Sequence, residues 1–361
     1  MDVALLLEWT IKAILIMVAL LFGFMYLTYY ERKALARIQV RVGPNRAGPA
    51  GLLQPMADGL KLIFKEELIP AKADKFIFIM APVITVIPAL VILAVVPFGD
   101  KITLFGREIS LALTDINIGI LYITAIASIS VYGIVLAGWS SNNKYAMLGG
   151  IRSSAQMISY EITLGLAFIG PILLANSMSV KDIIDAQKQL GWFFIWQPVG
   201  ALVFWIATLA EVNRAPFDMP EAEQELTAGY HTEYSGLKFA LFYMAEYIKM
   251  IAVSAIAASL FFGGYLGPFV DQLPWLGPVW LFIKVMILLF GMIWVRATLP
   301  RIRYDRLMAF GWKILFPLAL LNVFLTAVGV VLEMLWIIPV LTILSVVIMT
   351  YFTRKAIGGG R

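Results

Sequence analysis

Seven acids, Glu211, Asp218, Glu221, Glu223, Glu225, Glu233 and Glu246, fall within 36 residues of a chain of 361 that has 23 acids in all. A carboxylate close to a lipid bilayer is costly unless it is paired, hydrated or protonated. Burial and like charge both push a carboxyl pKa up toward neutrality, which suits such groups to taking up and passing on protons. Glu161 belongs with them: it lies near the start of the fourth apolar segment, Glu211 closes the fifth, and Glu246 sits about seven residues, ~10 Å, into the sixth. One buried polar cluster toward the cytoplasmic side is therefore expected. Lys249, three residues after Glu246, leaves structural ion pairing open as the alternative. Pro216 and Pro220 interrupt the acidic loop, and Glu221 and Glu225 share a helix face there. Phe217, Met219, Leu226, Tyr230 and Tyr234 give the loop apolar surface to pack, unlike a purely solvated acidic stretch.

Other chemistries are restricted by composition. With no cysteine and a single histidine, His231, the chain supplies neither an iron–sulfur site, a Cys-based zinc site nor a bis-histidine haem. No metal site and no nucleophile–base pair is expected. Any redox metal must come from a partner.

The elements that position these groups are membrane helices. The chain is 61% hydrophobic and 14% charged, against about 25% charged for a soluble domain. Uncharged windows such as 76–97, 116–143 and 314–332 are long enough to cross a bilayer, which takes about 20 apolar residues. The reading is an all-α polytopic membrane protein in a single domain, 1–361. Nine spans are expected: 3–30, 76–97, 116–139, 158–177, 194–212, 239–262, 279–295, 314–332 and an extra C-terminal one at 334–353. Lys284 interrupts the seventh. The first apolar segment is too long for a signal h-region, so no cleavable signal peptide is expected. Segments 31–75, 140–157, 213–238, 296–313 and the tail carry 21 Lys and Arg against 4 on the other side. That places the former in the cytoplasm and the N-terminus outside. The net charge of +5 thus reflects membrane orientation rather than nucleic acid. In the 31–75 loop, Leu52, Leu53, Met56, Leu60, Ile63 and Phe64 recur at helical spacing, which predicts an amphipathic interface helix over 51–65. Arginines at 32, 37, 41, 296, 301, 303 and 306 fit the same charge rule and lipid headgroup contact. Glu31 beside Arg32 and Asp305 beside Arg306 also suggest paired charges at the mouth of a site.

Several separated blocks carry a resemblance. They are Glu31-Arg-Lys, Arg41-Val-Gly-Pro-Asn45, Gly51-Leu-Leu-Gln-Pro-Met-Ala-Asp58 and Lys61-Leu-Ile-Phe-Lys-Glu66, then Glu211-Val-Asn-Arg-Ala-Pro-Phe-Asp218 through Glu233-Tyr-Ser-Gly236, Met244-Ala-Glu-Tyr247 and Pro300-Arg-Ile-Arg-Tyr-Asp305. Over residues 5–332 the chain resembles the H-subunit family of bacterial NADH:quinone oxidoreductase, respiratory complex I. The resemblance implies a multi-pass subunit of the bacterial inner membrane with no redox centre and no catalysis of its own. It would line the entry chamber for a quinone such as ubiquinone and couple its reduction to proton translocation. Glu31, Arg32, Asp58, Lys61, Glu66, Tyr247, Arg296 and Arg301 would border the quinone tunnel. Glu161, Glu211, Asp218, Glu221, Glu223, Glu225, Glu233 and Glu246 would form the acidic path. FMN and iron–sulfur clusters would lie in partners of the hydrophilic arm, with small and antiporter-like membrane subunits alongside. A membrane anchor of an energy-converting hydrogenase is the nearest alternative, and a stand-alone ion carrier the next.

Overall fold

A computed structural model describes residues 3–104, 107–218 and 228–358. Its elements run α1 Val3–Ile38, α2 Gln54–Ile63, α3 Lys75–Val91, the antiparallel hairpin β1 Lys101–Leu104 and β2 Arg107–Ser110, α4 Gly119–Ser140 and α5 Lys144–Ala175. They continue α6 Val180–Leu190, α7 Phe193–Trp196, α8 Pro198–Glu211, α9 Gly236–Phe261, α10 Leu276–Thr298, α11 Tyr304–Phe310, α12 Phe316–Val331 and α13 Ile337–Gly358. The architecture is all-α, with one two-stranded hairpin among the described residues.

Seven helices are long and apolar enough to cross a membrane. The expected fifth span corresponds to a shorter apolar helix, Pro198–Glu211, and the expected ninth to α13, which is apolar over Ile337–Ile348. At ~1.5 Å per residue the 14 residues of α8 extend only ~21 Å, and Pro198 separates α8 from the single turn α7.

The fourth span departs most from expectation. Charge-free windows place its start near 158, yet α5 begins at Lys144, where the Asn143 side chain accepts from the Tyr145 N–H. Lys144 and Arg152 truncate the apolar run without breaking the helix. Small residues instead let it pack closely. A Cβ on Gly149 would sit 2.4 Å from Gly229 Cα, and one on Gly150 would sit 3.3 Å from Gly138 Cα of α4. Glu161 is consequently the eighteenth of 32 residues, in the middle of α5 rather than near its start. The segments 98–115 and 178–193, which show no charge clustering, hold the hairpin and α6.

Lys284 does not interrupt α10. Its ammonium donates to the carbonyls of Phe262 (2.7 Å), Gly264 (2.8 Å) and Leu266 (2.6 Å), so its three N–H groups close the C-terminal end of α9. On the other side of the bundle, α2 leaves Leu53, Met56, Leu60, Ile63 and Phe64 exposed, the apolar face expected of an interface helix. In the core, α4 packs between α3 and α5, α5 against α8 and α12, and α9 against α3, α1 and α10.

Candidate functional site

Two residues past α8, the chain turns through Asn213 and Arg214 into a cis Ala215–Pro216 bond. Gln156 of α5 fixes this turn by donating from its amide to the carbonyls of Ala210 (2.8 Å) and Phe217 (2.7 Å). The Pro216 carbonyl accepts from the Ile302 N–H at 3.0 Å, which ties the turn to the segment after α10. These bonds hold the turn in place, and Arg214 is directed inward.

Arg214 is buried, at 4% side-chain exposure. Its Nη1 donates to Glu31 Oε1 of α1 at 2.8 Å, and its Nε lies 2.7 Å from Glu246 Oε1 of α9. Its guanidinium carbon stands 4.4 Å from the centre of the Tyr247 ring. Arg296, in the last turn of α10, also bonds Glu31. Burial alone would lower the pKa of Arg214, but Glu246 and Glu31 reverse this and hold it well above its ordinary value. Beside the cluster, Arg301 Nη2 donates to the buried Asp218 at 3.0 Å.

Deeper in the bundle lies a second group. Ser128 of α4 donates to Glu161 of α5, and Lys249 of α9 donates to Ser130 of α4. Glu211 is 6% exposed, and its Oε2 has no hydrogen-bond partner. Glu211, Asp218, His231, Glu246 and Lys249 line one small cavity with about 20 Å³ of free space, enough for one water-sized molecule. Glu246 thus pairs with Arg214, and Lys249 donates to Ser130 of α4.

The expected tunnel set divides. Glu31, Tyr247 and Arg296 meet at Arg214, and Arg301 joins Asp218. Arg32 pairs with Asp58, linking α1 to α2, with Gln54 Nε2 donating to the same carboxylate at 3.2 Å. Lys61 and Glu66 are exposed. Of the acidic path, Glu211, Asp218 and Glu246 line one cavity, Glu161 accepts from Ser128 of α4, and Glu233 instead accepts from Asn143 at 2.7 Å. Glu221, Glu223 and Glu225 lie outside the described residues. Sequence reasoning missed Arg214, Ser128 and Ser130. An arginine standing directly after an apolar run, in a loop otherwise full of acids, was the available signal for the first. The serines lie in an uncharged helix and gave none.

Next to the Glu31 cluster is an apolar cavity of about 530 Å³ between α1, α9 and α10, with Leu20, Tyr26, Tyr30, Leu281 and Met286 among its walls. Among the described residues no group of His, Asp and Glu is disposed to hold a metal.

A multi-pass helical membrane protein with buried, paired ionisable groups beside an apolar chamber is the class these features define. The chain belongs to the NADH dehydrogenase family, whose profile matches residues 11–327. It is 51% identical to the H subunit of NADH-quinone oxidoreductase from Thermomicrobium roseum, over 86% of this chain and 93% of that protein. It is 50% identical to an H subunit of the same enzyme from Geobacter sulfurreducens (89% and 94% covered) and to NADH-quinone oxidoreductase subunit 8 of Thermus thermophilus (90% and 87% covered). These relatives are subunits of an oxidoreductase complex.

Proposed function

We propose that this chain forms the quinone entry chamber of a proton-pumping NADH:quinone oxidoreductase and carries the first carboxylates of the path that couples quinone reduction to proton translocation. The observation that carries this reading is Arg214, which bridges Glu31 on the chamber side to Glu246 on the acid side. The quinone tail enters from the lipid into the apolar cavity walled by Leu20, Tyr26, Leu281 and Met286. Its reduction beyond the chamber creates negative charge and a demand for protons. Two unit charges 4 Å apart interact by about 4 kcal/mol at an effective dielectric of 20, so a change of charge near Glu31 and Arg296 alters the hold of Arg214 on Glu246. A less firmly held Glu246 takes up a proton, and Glu211, across the shared cavity, responds to the new charge.

The remaining assignments go with this reading. In this reading the chain sits in the bacterial inner membrane with its charged loops cytoplasmic, the side that the 21:4 distribution of Lys and Arg favours. Electrons arrive from FMN and iron–sulfur clusters in hydrophilic-arm partners, and antiporter-like membrane subunits receive the coupling signal. The names of the relatives favour this over a hydrogenase anchor. In the assembled complex, Glu246→Gln and Glu211→Gln should cut quinone-linked turnover and proton pumping while leaving NADH oxidation by artificial acceptors intact. Normal pumping in both variants would remove the acidic-path assignment.

A further inference from the structure

Away from the charged groups, α8, α9 and α13 enclose an apolar slot of about 410 Å³. Its back wall is buried: Val199 and Phe204 of α8 and Ala257 and Phe261 of α9 are each 5% exposed or less. Its rim is open, with Leu202 of α8 and Ile343 and Val347 of α13 at 52%, 51% and 57% exposure. These rim residues lie on membrane-embedded helices, so the slot opens sideways into lipid. No charged, hydroxyl or amide side chain lines it. A space with apolar walls does not hold water. Left empty, it forfeits the dispersion contacts of its walls. Its natural occupant is therefore something apolar drawn from the bilayer.

Three such occupants exist, and the geometry separates them. A partner's transmembrane helix needs a groove of about 30 Å, whereas residues 198–205 of α8 and 343–347 of α13 run only ~10 Å and ~6 Å along the slot. A quinone headgroup needs polar groups to orient it, and the slot has none, unlike the 530 Å³ cavity with Tyr26 and Tyr30 in its walls. An acyl chain needs neither. At the α7 end, Phe194 stacks on Phe262 at 5.3 Å and the exposed Trp192 meets the same ring edge-on at 6.1 Å. Exposed tryptophan is typical of the headgroup level. This end is opposite Glu211, the last residue of α8. Near Trp192, Lys188 is paired with Asp271 and Lys284 is held by three carbonyls, so both cations are engaged within the protein. We propose that the slot between α8, α9 and α13 binds one acyl chain of a phospholipid in the leaflet opposite the Arg214 cluster, and that it selects the chain rather than the headgroup. The chain fills the gap between α13 and the body of the bundle and so helps to hold α13 in place. The site lies off the coupling path and is independent of it.

Photolabelling of the assembled complex in vesicles tests this, with phosphatidylethanolamine that carries a diazirine on its acyl chain. Labelled peptides are then mapped by mass spectrometry. Residues 198–205 and 343–347 should be labelled about fivefold or more above Leu320 and Phe324, which are exposed on α12 outside the slot. Phosphatidylglycerol with the same chain should give yields within about twofold. Val347→Trp places a ring at the rim and should lower labelling of 198–205 about fivefold, with quinone-linked turnover near the parent level. If Val347→Trp does not assemble, Ile343→Trp is read in the same way. Labelling no higher than at Leu320 and Phe324, or unchanged in the tryptophan variant, would mean ordinary boundary lipid and overturn the site. Loss of label on adding excess short-chain quinone would reassign the slot to quinone. A fivefold preference for phosphatidylglycerol would overturn selection by the chain. Proton pumping, measured on the same vesicles, judges the coupling function separately.

Discussion

At the residue scale the site depends on Arg214. Its planar fork serves two carboxylates from different helices while its face rests on Tyr247. A lysine in its place would offer a point charge with no fixed fork and no stacking surface. Removing one partner from a buried ion pair costs about 3–5 kcal/mol because the other charge is left uncompensated. Arg214→Met should therefore lower the assembled complex's thermal stability and abolish quinone-linked turnover. Arg214→Lys should assemble but lose turnover several-fold, as measured with a short-chain quinone. Equal turnover in Arg214→Lys and the parent would show that charge alone is needed there. The sequence made Glu31, Arg296 and Tyr247 legible as one set and Glu161, Glu211 and Glu246 as another. It did not reveal that they join. The joint is one arginine whose reading as a positive-inside charge was sufficient by itself, and only the turn fixed by Gln156 directs it inward.

At the scale of elements, apolar run length gave the spans and misjudged their ends wherever a charge has a private partner. Lys144 and Arg152 concealed fourteen residues of α5, which moves Glu161 from the end of a span to its middle, within reach of Ser128. The amphipathic α2 was legible because its apolar spacing has no competing explanation. Its attachment to α1 through Arg32 and Asp58 was not, since the two are 26 residues apart. Lys284 shows the physics most directly. It marks no break in α10 because it closes α9, donating to three carbonyls that lack helical partners. Lys284→Met keeps the stem and removes all three donors, and each buried carbonyl so orphaned costs about 1 kcal/mol or more. The variant should lose thermal stability in detergent and gain proteolytic cleavage within 262–268, with turnover near the parent level at low temperature. Unchanged stability would mean that backbone contacts alone hold the end of α9.

At the scale of the whole molecule, α13 is the element that the family match, ending at residue 327, does not include. It packs against α12 and α8, with Ile338 seated where Gly329 leaves space, since a Cβ there would be 2.3 Å from Ile338 Cγ1. Between α13, α8 and α9 lies the apolar cavity of about 410 Å³ walled by Leu202, Trp205, Phe261, Ile343 and Val347, with no charged residue in its lining. The short α8 ends at Glu211, so α13 packs against the helix that presents this buried acid. Lipid chains are as apolar as leucine, so replacing α13 by lipid loses close packing and little hydrophobic transfer energy. Truncation after residue 333 should therefore yield an assembled complex with quinone-linked turnover within about twofold of the parent and a thermal midpoint lower by a few degrees. A loss of pumping with electron transfer preserved would contradict this. It would make α13 part of the coupling machinery, acting through the position of α8.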